Sequence, residues 1–124
     1  MQTLLLNVFD ENVRVMEIND ELDEYYKLLN CSMIDIVSRK IGGKWFDIVC
    51  DDEGLLKDDP KISAINDMGE PMLVGNLIFL HNDGYGEMVG LDDADIKHLK
   101  DHIEVMCTVN HPFGYPMLTQ CEYC

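Results

Sequence analysis

The chain is short of positive charge. Nine lysines and arginines stand against 24 aspartates and glutamates in 124 residues, a formal net charge of −15. Such a surface repels nucleic acid and anionic membranes and favours basic partners or cations. With few basic residues and no basic face, direct nucleic-acid binding is not expected. No apolar run approaches the roughly 18–20 residues of a membrane span, so a membrane partner is not expected either. The opening residues, MQTLLLNVFDENV, carry no positive n-region and meet Asp10 after a short apolar run. They do not read as a signal peptide, and a cytoplasmic protein is expected. Five cysteines, an odd number, fit reduced thiols better than a disulfide framework. No Gly-x-x-x-x-Gly-Lys loop and no Gly-x-Ser-x-Gly elbow is present. Nothing singles out a catalytic residue, and a non-enzymatic role is expected.

What is present is a globular pattern. At 47% hydrophobic, 124 residues suffice for one domain with a sizeable core. The clearest stretch is Ser32 to Gly54, two β-rich segments around Gly42-Gly43. Gly-Gly supplies the positive φ of a two-residue type I′ turn. That turn sets Lys40 opposite Trp45, Arg39 opposite Phe46, Val37 opposite Ile48 and Ile36 opposite Val49. The first two pairs offer cation–π contacts. Apolar residues on both faces predict a central hairpin covered on both sides.

Thr3–Phe9 and Val13–Ile18 read as an earlier hairpin turning at Asp10-Glu11-Asn12. A helix over 21–30 follows, capped by Asn19 or Asp20, with Leu22, Tyr25, Tyr26 and Leu29 as its buried stripe. Its first turn is acidic, as the helix dipole favours. Met72–His81 is strongly apolar and reads as a buried strand. Glu87–Val89 reads as a short strand beyond the turn at 82–86. A second helix spans Gly90 to Met106, with Asp92 at the N-cap and Asp95 at N3 as an acidic capping box. Leu91 and Ile96 have staple spacing, and Ile96, Leu99, Ile103 and Met106 form its inner stripe. These elements predict an α+β fold: a mainly antiparallel sheet of about five or six strands with two packed helices, in one domain over 1–106. Residues 107–124 read as a C-terminal tail, a surface strap or a disordered end.

The opening hairpin, the segment Ile48 to Gly54, the apolar strand around Val74 to Leu80 and the helix after Leu91-Asp92-Asp93 carry a resemblance. From about Leu4 to Met106 the chain resembles an uncharacterised family of small acidic domains, the domain of unknown function numbered three-eight-four-six. The resemblance implies a phage or mobile-element setting, where small acidic proteins often act on host machinery. It implies no catalytic residue.

Candidate sites are sparse. Asp51, Asp52 and Glu53 before Gly54 fail the EF-hand spacing and read as a solvated turn. Cys121-x-x-Cys124, with Cys107 and His111 four apart, could form a zinc site, against the simpler reading of free thiols on a loose end. No cofactor is expected otherwise. His98 and His102 read as exposed helix histidines. Two roles remain. In the first, the acidic surface docks on a basic host protein, such as a defence or nucleic-acid-binding protein, as an inhibitor or modulator. Acids at Asp10–Glu24, Asp47–Asp59 and Asp83–Asp101 supply the charge. Asp51, Asp52, Glu53, Asp92 and Asp93 would steer, and Trp45 and Tyr85 would anchor. A homodimer is compatible with this role. The alternative is a small-molecule or nucleotide-signal sponge, with aromatics such as Trp45, Phe79, Tyr85 and Tyr115 stacking a base.

Overall fold

A computed structural model of the chain describes residues 1–56 and 60–123. It is an α+β fold whose strands lie in two sheets. The first sheet runs β11-β3-β4-β7-β1-β2, with β8 paired to β7. Its strands are β1 (Gln2–Asn7), β2 (Asn12–Glu17), β3 (Ile34–Ile41), β4 (Lys44–Asp51), β7 (Leu77–Asn82), β8 (Met88–Val89) and β11 (Cys121–Glu122). The second sheet runs β6-β5-β10-β9. It comprises β5 (Ile62–Ile65), β6 (Pro71–Val74), β9 (Ile103–Thr108) and β10 (His111–Leu118). Every pairing is antiparallel except β5 with β10. Helix α1 spans Leu22–Leu29 and α2 spans Asp93–Asp101.

Eleven strands among the described residues, in sheets of seven and four, exceed the single sheet of five or six strands expected. The surplus comes from the short strands β5 and β6, from β9, most of it expected in the second helix, and from the C-terminal segment. Expected as a tail or strap, that segment instead supplies β10 and β11. Tyr115, Met117, Leu118 and Cys121 are buried in the main core.

The central hairpin has the register that a two-residue turn dictates. Lys40 faces Trp45, Arg39 faces Phe46, Val37 faces Ile48 and Ile36 faces Val49. Gly42 and Gly43 take φ of 54° and 87°, as a type I′ turn needs. The cation–π partners differ from those expected. Arg39 lies 4.5 Å from the Tyr123 ring centroid, and Lys44 lies 5.8 Å from that of Phe46.

Both faces of the first sheet are covered, because adjacent strand residues point to opposite sides. Leu4, Leu6, Phe46, Ile48, Leu77 and Phe79 form the main core with the second sheet and with Ile96 and Leu99 of α2. Leu5, Val49, Ile78 and Leu80 face the other way, against Tyr25 and Leu29 of α1. The stripe on α1 is narrower than predicted, since Leu22 is exposed and Tyr26 is only half-buried. Its N-cap residue is Glu21, which makes no side-chain cap bond, and Asn30 closes it in the left-handed conformation at φ 52°.

Helix α2 starts as predicted and ends early. Asp92 Oδ1 accepts from the Asp95 backbone N–H at 2.7 Å, and Asp95 Oδ2 accepts from that of Asp92 at 3.0 Å. The helix stops at Asp101, and His102 caps it through backbone bonds to Leu99 and Lys100. Ile103 and Met106 therefore reach the core from β9 rather than from a helix. The physical reason is that β10 pairs with β9 over Ile103–Met106, and this cross-strand pairing outweighs helical spacing. No helix among the described residues is long and apolar enough to cross a membrane.

Candidate functional site

Two places gather polar chemistry. The first is a groove of about 280 Å³ between the end of β4 and the edge strand β6. One wall is the run Cys50, Asp51, Asp52, Glu53, Gly54 and Leu55; the other is Pro71, Met72, Leu73 and Val74. Strand β4 ends in a tight acidic turn, where Asp51 Oδ1 accepts the Glu53 N–H at 2.9 Å. The Asp52 N–H donates to the Met33 carbonyl at 3.1 Å, fixing the turn to the start of β3. Gly54 follows at a close approach, where a Cβ would lie 2.7 Å from Val74 Cγ2 and force that side chain to shift. The acidic turn is thus pressed against β6. Met72, Leu73 and Val74 are half-buried, whereas Leu55 is exposed. The result is an apolar trough with three acidic residues along one wall. Burial, with the Asp35 carboxylate next, pushes the Cys50 thiol up to about 12, so it is a poor nucleophile at neutral pH.

The second place is the N-terminus of α2. The Asp95 carboxylate is almost fully buried and forms an ion pair with Lys44. It also accepts from His81 Nε2 at 3.1 Å. Burial alone would raise this carboxyl. Hydrogen bonds from Lys44, the Asp92 backbone and His81 outweigh it and hold the group well below the ordinary carboxylate range. The His81 ring stacks on Phe46 at 4.9 Å between centroids. Phe46 in turn meets His98 at 5.9 Å, and His98 meets His102 at 4.5 Å. His98 Nε2 bonds the Ile41 carbonyl at 2.6 Å. His98 and His102 are therefore half-buried fasteners between α2 and the hairpin, not the exposed helix histidines expected. Nearby, Ser38 Oγ and Asn82 Nδ2 both donate to the buried Asp47 carboxylate, at 2.7 and 2.6 Å. The Ser38 hydroxyl is thus engaged by Asp47, while His81 is engaged by Asp95. These two sets knit β3, β4, β7 and α2 together.

The sequence-predicted residues separate. Asp51, Asp52 and Glu53 line the groove, and Trp45, Tyr85, Asp92 and Asp93 do not. Trp45 is about half exposed and borders a shallow pocket with Ser38, Asp47, His81 and Asn82. Tyr85 is 92% exposed on the turn before β8. Asp92 is committed to its cap, and Asp93 Oδ1 accepts from Gln2 Nε2 at 3.4 Å. Of the base-stacking candidates, Phe79 and Tyr115 are buried in the core. Asp58, Asp59 and Cys124 lie outside the described residues.

Among the described residues, the proposed zinc ligands Cys107, His111 and Cys121 are not gathered. Cys107 is exposed near the end of β9, and His111 begins β10 across the turn. Cys121 is buried beside β3, its thiol raised to about 11 by burial. Cys107 and His111, four apart in sequence, lie on the two strands of a hairpin. Among the described residues, no three His, Cys, Asp or Glu side chains come together to hold a metal ion. Sequence reasoning also missed the groove's second wall and the Asp95 cluster. An acid at N3 directly before the inward Ile96 was the available sign that Asp95 would be buried.

Comparison with curated proteins and with solved structures gives no match. A family profile described as "Domain of unknown function (DUF3846)" matches residues 1–104, which include the acidic turn, β6 and α2. The chain belongs to this family of domains of unknown function.

Proposed function

We propose that the chain is a non-catalytic binding protein that docks a basic segment of another protein in the β4–β6 groove. The observation that carries this reading is the union of an apolar trough with three acidic residues on one wall. Apolar side chains of the segment would enter against Met72, Leu73 and Leu55, and its lysines or arginines would meet Asp51, Asp52 and Glu53. The net charge of −15 would steer such a partner over a Debye length of about 10 Å at 0.1 M salt. Asp92 and Asp93 would contribute only to that long-range field. Trp45 and Tyr85 stand outside the groove, so this reading gives them no anchoring role in it. The finer form of the proposal, supported by the family resemblance, is a mobile-element protein that modulates a basic host protein, such as one that binds nucleic acid.

The test is capture of basic proteins from host lysate at low and high salt, by the native chain and by a variant with Asp51, Asp52 and Glu53 changed to Lys. Loss of salt-sensitive capture in the variant supports the reading. Unchanged capture, together with thermal protection of the native chain by a nucleotide, would replace it with a nucleotide-binding role.

A further inference from the structure

Each sheet edge in this fold faces the same hazard, since an unpaired strand is a template for another strand. Four of the edges are managed. Strand β11 has two residues and β8 has two. Strand β6 has four and begins with Pro71, which has no N–H to donate. Strand β2 carries Arg14 and Glu17. Strand β9 is different. It has six residues, ends the second sheet and carries a single charge, Glu104. Val105 on it is 67% exposed, and Val109 and Phe113 on the adjoining turn and strand are 98% and 96% exposed.

The charge pattern narrows what can cover this edge. Residues 105–121 form a stretch of 17 with no Asp, Glu, Lys or Arg, in a chain that otherwise carries 24 acids. A basic partner finds no electrostatic complement there. A second copy of this chain meets only Glu104 as a charged side chain along this edge strand. An antiparallel strand pair is also self-complementary about a two-fold axis, as an isologous dimer requires.

We propose that two copies of the chain associate through β9, edge to edge and antiparallel, making a continuous eight-stranded sheet from two four-stranded ones. A two-fold axis through Val105 sets Val105 against its own copy, Glu104 against Met106 and Ile103 against Cys107. No like charges are directly opposite, although the two Glu104 side chains are diagonal neighbours about 7–8 Å apart on one face. The contact is small, below the roughly 1,000 Å² typical of a stable interface, so the dimer is weak and concentration-dependent. Its salt dependence has a definite sign. Added salt screens the repulsion between two chains of charge −15 and strengthens the pair. Docking of a basic segment in the groove weakens with salt, so the two interactions stand or fall separately.

Sedimentation equilibrium over a concentration series, at low and high salt, tests the proposal. The native chain should show a monomer–dimer equilibrium that shifts to dimer with salt. Val105→Lys places two lysines at the centre and should weaken association at least tenfold. Val15→Lys on β2, an edge valine that is 45% exposed, should leave it unchanged. Circular dichroism melts confirm that each variant is folded. Hydrogen exchange supplies a second reading: amides of residues 103–108 should slow with rising concentration, and those of β2 should not. A native chain that stays monomeric at its highest soluble concentration overturns the proposal and leaves the edge to another occupant. A dimer indifferent to Val105→Lys, or one without concentration-dependent protection of β9, overturns it equally.

Discussion

Asp95→Ala removes the partner of two side chains at once. Lys44 loses its ion pair and His81 loses its acceptor, and the Asp92 N–H loses the reciprocal half of the capping box. Breaking a fully buried pair costs about 3–5 kcal/mol. Here Asp95 is 5% exposed but Lys44 is 42% exposed, so the freed ammonium regains water and the cost falls. Hydrogen bonds to charged groups contribute about 1.5–3 kcal/mol each before such discounting. The expected loss is about 2–3 kcal/mol at neutral pH, seen as a fall in Tm of roughly 8–12 °C for a chain of this size. The pH dependence has a fixed sign. Because the folded-state carboxyl is held below its ordinary range, its stabilisation is fully present above the unfolded value near about 3.9. It is lost as pH falls from there through the folded value. The gap between native chain and variant should therefore narrow below about pH 4. Urea titrations at a series of pH values measure it. A gap under about 0.5 kcal/mol at pH 7, or one that stays constant into acid, would refute the assignment of Asp95 as the fastener of α2.

Three further outcomes follow from burial. Leu99 is fully buried in the main core, so Leu99→Ala should cost about 2–5 kcal/mol; an unchanged melting temperature would place α2 at the periphery. Ser63 Oγ is buried and has no hydrogen-bond partner among the described residues. Ser63→Ala should therefore be neutral or stabilising by up to about 1 kcal/mol in denaturant melts, and clear destabilisation would reveal a partner for the hydroxyl. In thiol titration at neutral pH, exposed Cys107 should react at once, while Cys50 and Cys121, whose thiols are raised to about 12 and 11 by burial, should wait for unfolding. Equal rates for all three would show that the sheet opens readily.

What could be read beforehand was local. The Gly42-Gly43 turn settles strand register by itself, because φ > 0 at both positions makes a two-residue type I′ hairpin, and every predicted cross-strand pair is present. The Asp92–Asp95 box likewise depends on neighbours in sequence. The errors lie where partners are distant. Ile96, Leu99, Ile103 and Met106 fit one helical stripe. Yet Ile103 and Met106 sit on a strand whose partner, β10, pairs in turn with β5, more than fifty residues earlier. The groove could not be seen either, since Asp51–Gly54 and Met72–Val74 meet only after the two sheets pack. The same holds for Lys44, His81 and Asp95, which share no spacing that a local pattern could report.

The central claim is that the groove, and not net charge alone, binds a basic segment. Fluorescence anisotropy of a labelled peptide of alternating lysine and leucine measures this against three proteins. One is the native chain, one has Asp51, Asp52 and Glu53 changed to Lys, and one has Asp20, Glu21 and Asp23 at α1 changed to Lys. The two variants have the same net charge. Binding to the native chain should weaken with salt, and the groove variant should bind at least tenfold more weakly at low salt. The α1 variant should remain close to native, and Leu55→Ser should weaken binding even at high salt. Equal losses in the two charge variants, or none in either, would contradict the claim.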